Sequence, residues 1–479
     1  MILFTNKSIK LYYITILLIL MISPRVFSKE ITLQEAVNWG LKNNPSLQEL
    51  EYNLTKTERE LAKIKAGFAW QVDFSGSTLY QQDTDLVLNQ FGFTEETKEK
   101  GKNLKIGLQG TKLFSSGLTL ENNIILNDKL SSIKSENLED KVDYNLKVTQ
   151  PIYPINPVEL EQEYKKSYNE FLKIKNNLEW QQGIKKIDWL EGYLNILRLK
   201  ESLDIAKENY DFSKDYLNKI LKKQSIKEAG EQQVLIAKID LKKAEFNLAQ
   251  NNNKFIEEQQ EWLEELGLSR DSQIVLSEDA KYLNNNKEKI YLLKVDQYSK
   301  GNLIERIKNC NPKVNSNKLE LDLTKKEFKW EKNKNRAKLN LVANYNRLEE
   351  EWSIGVNLTQ NLFDGGKEEL INLDYKDDLD KLENDFQNLM KSLTLKLDKF
   401  INKLEEARVN FQEKKLTLDK AKLEKRLLQK QLQDGVITAR EFKQKNIELE
   451  EALVDFKSAK DQIIISKLRL FYFVGMIKL

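Results

Sequence analysis

The sequence predicts a mostly α-helical protein with a smaller β part: long antiparallel helices paired as coiled coils, and strands that carry one apolar and one polar face. Three observations predict it. The 479 residues include only 18 Gly and 6 Pro, while 32% are charged, so the residues that normally end helices every dozen positions are scarce. Heptad spacing runs through Leu379, Leu382, Phe386, Leu389 and Leu393, and again through Leu449, Ala452, Phe456, Ala459 and Ile463, which calls for partner helices along a seam. Elsewhere the period falls to two: Trp70, Val72 and Phe74, then Tyr144, Leu146 and Val148, Leu339, Leu341, Ala343 and Tyr345, and Ile354, Val356 and Leu358 recur at every second position, with Asp73, Asn145, Lys147, Lys338, Asn340, Ser353 and Asn357 among the polar residues between or beside them. Alternation over about ten residues is the pattern of strands with lipid on one side and water on the other.

The same composition excludes most chemistry. There is no His and one Cys, which removes His-based triads, imidazole metal sites, thiolate cages and intrachain disulfides. No catalytic residue, metal site or cofactor is expected. The aromatic residues Trp180, Trp189 and Trp262 are expected to pack between helices.

Residues 1–28 read as a secretory signal. Lys7 and Lys10 precede an apolar run from Leu11 to Ile22, Ser23-Pro24 breaks it, and Val26-Phe27-Ser28 offers a small residue at the cleavage point. About twelve apolar residues are short of the ~20 that span a bilayer as a helix. Three of the 77 basic residues lie in this signal, which leaves the remainder balanced against 74 acidic residues. Charge therefore gives no reason to expect nucleic acid as a partner, and export argues against it. No later apolar run approaches a helical span, so entry into a membrane has to be as a β-barrel.

The exported chain repeats itself. Thr149-Gln150-Pro151-Ile152-Tyr153 corresponds to Thr359-Gln360-Asn361-Leu362-Phe363 at an offset of 210. Ala229-Gly230 corresponds to Ile437-Thr438, and Leu266-Gly267 to Val474-Gly475, both at 208. Asn44-Pro45 and Asn311-Pro312 are 267 apart, so the first half carries roughly 58 extra residues between Trp70 and Gln150. Two further alternating runs, Leu104-Ile106-Leu108 and Leu118-Leu120 to Ile124-Leu126, flank Ser115-Ser116-Gly117 and fill this insertion. They form either extra barrel strands or an outer hairpin; periodicity alone leaves both open.

The resulting map has a first repeat at 29–268, with a helix, strands over 70–150, a long helix 157–226 and a returning helix 231–266. A segment at 269–301, rich in Asn, Asp and Lys, lies at mid-height. The second repeat, 302–479, has a helix, strands over 337–360, a long helix 367–434 and a returning helix 438–473. The long helices, about 70 residues each, reach roughly 105 Å. Gly183 and Gly192 interrupt the first of them, and Pro157 sits in its first turn. The helices Thr32–Ala66 and Leu303–Arg336 run about 35 residues each and cover the upper portion that the returning helices leave.

Four or six strands per chain cannot close a membrane barrel, whose smallest forms have about eight, and open edges in lipid leave unpaired backbone groups. The strands are therefore shared between copies, in a cyclic homo-oligomer whose polar lumen continues into a tube of helices.

Several stretches, taken together, resemble the TolC-type outer-membrane efflux protein family: ITLQEAV near the start, Asn43-Asn44-Pro45, TQPIY, TQNLFDGG before the second long helix, the DGVIT turn at Asp434 to Thr438, and the closing YFVG. The resemblance covers essentially the whole exported chain. It implies a homotrimer in the outer membrane with a twelve-stranded barrel and a twelve-helix periplasmic tunnel. The tunnel tip would dock onto a periplasmic adaptor and an inner-membrane transporter in tripartite efflux or type I secretion. It further implies that the docking tip comprises Asp434, Gly435, Val436 and Thr438 with Lys227 and Gly230, and that Glu441 narrows the tunnel mouth. The first turn departs from the family by carrying Lys227 where Gly is usual, and Gln444 replaces a second acid. Competing readings are a coiled-coil cell-envelope tether or adhesin, which needs no alternating strands, and an exported glycan hydrolase, which needs a carboxylate pair in a compact cleft.

Overall fold

The computed structural model describes residues 32–88, 94–129, 142–272 and 297–477. The segment expected to be a signal, 1–28, and most of the 269–301 segment lie outside them. In chain order the elements are α1 (Leu33–Asn43), α2 (Pro45–Ala66), β1 (Gln71–Leu88), β2 (Thr94–Leu113), β3 (Thr119–Lys129), β4 (Val142–Tyr153), α3 (Glu159–Ser225), α4 (Glu231–Glu265), α5 (Lys300–Cys310), α6 (Pro312–Lys334), β5 (Lys338–Asn346), β6 (Glu351–Thr359), α7 (Lys367–Gln433) and α8 (Ala439–Phe473). The two long helices, α3 and α7, have 67 residues each, and the two that return from them, α4 and α8, have 35 each.

Two expectations about helix continuity are corrected. The expected helix from Thr32 to Ala66 is broken at Asn44, which is extended (φ −63, ψ 125). A residue before proline is pushed out of the α region, and Asn44 turns this to use by accepting the Leu47 N–H at 3.1 Å, which starts α2. Asn311 repeats the device before Pro312, accepting from the Lys313 N–H at 3.0 Å. Conversely, α3 runs unbroken through Gly183 and Gly192. These glycines serve packing: a Cβ at Gly183 would collide with the Tyr472 ring, and one at Gly192 with the Trp262 indole. Pro157 precedes α3, which starts at Glu159.

The chain forms two compact units. The described part of the first draws on residues 32–48, 181–272, 297–303 and 396–477. Its core includes Trp189, Tyr193, Leu263, Leu266, Leu397, Leu404 and Phe471, all almost fully buried. Trp262 donates its indole N–H to the Trp189 carbonyl at 2.8 Å, so both aromatics pack between helices as expected. Cross-helix ion pairs border this core: Arg198 meets Asp461 at 2.9 Å and Arg469 meets Asp188 at 2.7 Å. Burial nevertheless pushes the Asp188 carboxyl above its ordinary range, and Arg469 only partly opposes that.

The second unit, 49–180 and 304–395, contains all six strands. Around its helical part Asn169 donates to the Leu319 carbonyl at 3.1 Å, Lys166 pairs with Glu327 at 2.8 Å, and Phe328 stacks on Tyr375 with centroids 5.4 Å apart. The strands form one antiparallel sheet in sequence order, β1-β2-β3-β4-β5-β6. The two runs that fill the insertion, β2 and β3, are interior strands of the same sheet as β4 to β6. The twelve-stranded barrel implied by resemblance needs four strands per chain in a trimer, whereas this sheet has six.

Candidate functional site

Two features carry the functional reading, a sheet with one apolar face and a pair of helical tips. The register fixes the first. Phe74 lies opposite Leu108, Leu108 opposite Ile124, Ile124 opposite Tyr144, Leu146 opposite Tyr345, and Tyr345 opposite Trp352. Side chains on one strand alternate faces, so cross-strand partners share a face. Val72, Phe74, Ile106, Leu120, Val148, Leu341, Ile354, Val356 and Leu358 all fall on that same face. Phe74 is 72% exposed and Trp352 73%, an exposed apolar face of the kind that marks a membrane or protein contact. At its lower margin Lys112 holds its ammonium 5.9 Å from the Trp70 ring and 5.0 Å from the Phe114 ring, the cation–aromatic arrangement suited to a membrane boundary.

The other face carries Asp73, Ser75, Gln109, Asn123, Asn145, Asn344, Ser353 and Asn357. Here Lys147 pairs with Glu121 across β3 and β4 at 3.4 Å.

The tips lie in the first unit, where α3 turns into α4 and α7 into α8. Both turns close alike. The Glu228 N–H reaches the Lys223 carbonyl at 2.8 Å, and the Val436 N–H reaches the Gln431 carbonyl at 2.8 Å. Each places one residue in the left-handed region just before it, Lys227 at φ 64 and Gly435 at φ 70. Lys227 thus stands where the second turn has glycine. It adopts the conformation that a side chain disfavours by roughly 1–2 kcal/mol.

The turns differ in how the returning helix starts. Thr438 caps α8, its hydroxyl accepting the Glu441 N–H at 3.2 Å while the Glu441 carboxylate accepts the Thr438 N–H at 2.8 Å, a reciprocal capping box. The backbone N–H of Thr438 and then its hydroxyl hold the Glu441 carboxyl below its usual range. Gly230, the corresponding cap of α4, has no side chain to do this. Asp434, Gly435, Val436, Thr438 and Glu441 are all exposed.

The structure brings these tip residues into one unit and adds contacts that the sequence did not single out. Arg440 pairs with Asp240 on α4 and lies 5.0 Å from the Tyr216 ring on α3, and Lys443 pairs with Glu208 on α3. These partners are 200 to 235 residues apart in sequence, so no local spacing reveals them.

Long helical hairpins joined to an antiparallel sheet with one lipid-suited face define the fold of outer-membrane channels, as the TolC-type resemblance led us to expect. The chain matches the CmeC outer membrane channel of Campylobacter jejuni with a TM-score of 0.60 at 14% identity, covering 92% of this chain and 85% of that one. It matches the outer membrane protein VceC of Vibrio cholerae with a TM-score of 0.58 at 10% identity, covering 92% and 96%. The open-state MtrE outer membrane channel of Neisseria gonorrhoeae gives 0.59 at 10% identity, covering 92% and 88%. No family profile and no curated protein matches the chain at the sequence level.

Proposed function

We propose that this chain is the outer-membrane channel-tunnel component of a tripartite efflux or type I secretion system, a passive duct for substrates delivered by an inner-membrane transporter and a periplasmic adaptor. The observation that carries the reading is the single apolar face shared by all six strands, in a chain that otherwise devotes itself to 67-residue helices. An apolar sheet face of this extent suits lipid, and a sheet with two free edges is costly in lipid unless other copies cover them. The protein is a homotrimer seated in the outer membrane and extending into the periplasm, built from two structural repeats, 29–268 and 302–479. The equal lengths of the paired helices support that repeat.

The tips formed by Lys227 and Gly230, and by Asp434, Gly435, Val436 and Thr438, are the adaptor-docking surface, and Glu441 lines the tunnel mouth. A tether or adhesin would have no use for the alternating strands.

Fractionation tests the assembly. The mature protein is expected in the outer membrane and as a trimer in mild detergent; a fully helical soluble monomer overturns the reading. Single-channel recording tests the mouth. Three carboxylates around a lumen favour cations and are screened by salt, so Glu441→Gln is expected to lower cation preference with the trimer intact. Unchanged selectivity removes Glu441 from the mouth.

A further inference from the structure

The sheet holds six strands where a twelve-stranded trimeric barrel needs four from each chain. The two additional strands, β2 and β3, are placed by their ladders. β2 pairs with β1 from Gln71–Thr111 to Leu88–Thr94, β3 pairs with β2 from Asn103–Lys129 to Leu113–Thr119, and β4 pairs with β3 from Thr119–Thr149 to Leu126–Val142. A hairpin lying outside a barrel would leave β1 paired directly with β4. Here β1 reaches β4 only through β2 and β3.

The side-chain pattern agrees with the ladders. Ile106 and Leu108 on β2, and Leu120, Ile124 and Leu126 on β3, fall on the same face as Ile354 and Val356 of β6, while Gln109 and Asn123 fall on the face of Ser353 and Asn357. The apolar residues of β3 extend from Leu120 to Leu126, about 20 Å at ~3.3 Å per residue. Those of β6 extend from Trp352 to Leu358, the same length, and both approach the ~25 Å apolar band of a membrane barrel. A slip of one residue in either ladder would put these side chains on the wet face.

Two edges remain, one on β1 and one on β6, with no ladder between them in the chain. β1 has 18 residues and β6 has 9, so a neighbouring β6 covers only half of β1. The other half, from about Leu79 to Leu88, continues paired with β2 beyond the apolar stretch, where water can satisfy a free edge. The β2 residues opposite it, Thr94 to Asn103, are mostly Glu and Lys in the sequence.

The geometry points to a barrel wall in which every strand of the sheet takes part, with the β6 edge of one copy pairing to the β1 edge of the next. Resting on the trimer proposed above, three copies of six strands close an eighteen-stranded barrel. At equal strand tilt the diameter grows linearly with strand number, so this lumen is about half as wide again as one of twelve strands, and β1 and β2 stand above the membrane as a hairpin rim.

Spin labels test the wall in full-length protein reconstituted in phospholipid vesicles, in a Cys310→Ser background. Single cysteines replace Leu108, Ile124, Gln109 and Asn123, with Ile354 and Ser353 as references on β6. Accessibility to oxygen, which concentrates in lipid, is compared with accessibility to a water-soluble nickel complex. Labels at Leu108, Ile124 and Ile354 are expected to favour oxygen, those at Gln109, Asn123 and Ser353 to favour nickel, and the native mass to be three chains. Nickel accessibility at Leu108 and Ile124 with Ile354 still in lipid overturns the six-strand wall and leaves the channel reading standing. Ile354 in water overturns the membrane sheet itself, and with it both proposals. A mass of two chains overturns the count of eighteen.

Discussion

Arg440, in the first turn of α8, is ion-paired to Asp240 of α4 and stacks over Tyr216 of α3, so one side chain joins three helices beside the two tips. Lys443, one turn later, repeats the tie to Glu208. The Arg440 and Asp240 side chains remain 38% and 30% exposed. Water and salt therefore screen the pair, and it orients the helices more than it stabilises them.

A double-mutant cycle on Arg440→Ala and Asp240→Ala is accordingly expected to give a coupling of no more than about 1 kcal/mol. Thermal unfolding of the detergent-solubilised protein measures it. The coupling should shrink as salt rises from low to high ionic strength.

Lys227 and Gly435 make opposite predictions at equivalent turns. Lys227→Gly relieves a left-handed non-glycine residue and is expected to raise stability by about 1 kcal/mol. Gly435→Ala is expected to lower it by about 1–2 kcal/mol. A Cβ at Gly435 meets nothing within 4 Å, so backbone strain is the whole penalty and outer-membrane insertion should persist. Paired unfolding measurements check the signs.

The capping box gives a pH dependence. Glu441 is held below its usual range in the folded chain, so its contribution is present above the unfolded carboxyl range and is lost as pH falls through the lower folded value. Thr438→Ala is expected to cost about 1 kcal/mol near neutrality. Glu441→Gln, which still accepts the Thr438 N–H, should flatten the acid side of the stability profile.

Gly192→Ala drives a methyl into the Trp262 indole. Overpacking of this kind costs about 1–3 kcal/mol, and the displaced indole should lengthen its hydrogen bond to Trp189. Trp fluorescence together with unfolding measures both effects.

Much of the architecture was legible in the sequence because it is written in local period. Heptads through Leu379 to Leu393 and alternation through Trp352 to Leu358 each depend on residues within a turn or two, and burial of one face enforces them. The turns at 227–230 and 435–438 were equally legible, since positive φ and an N-cap are local demands on residues such as Gly435 and Thr438.

What only the tertiary structure decided depends on residues far apart in sequence. An isolated alternating run reads the same in a barrel wall or an outer hairpin, and only the partners of Leu108 and Ile124 place β2 and β3 inside the sheet. Gly183 and Gly192 look like helix breakers until Tyr472 and Trp262, which need their missing side chains, are brought against them. Arg440 is one charge among many on a solvated helix until folding sets Asp240 beside it. Period is fixed by backbone geometry, which every residue carries with it; the choice of partner is fixed by the packing of segments that approach one another only in the folded chain.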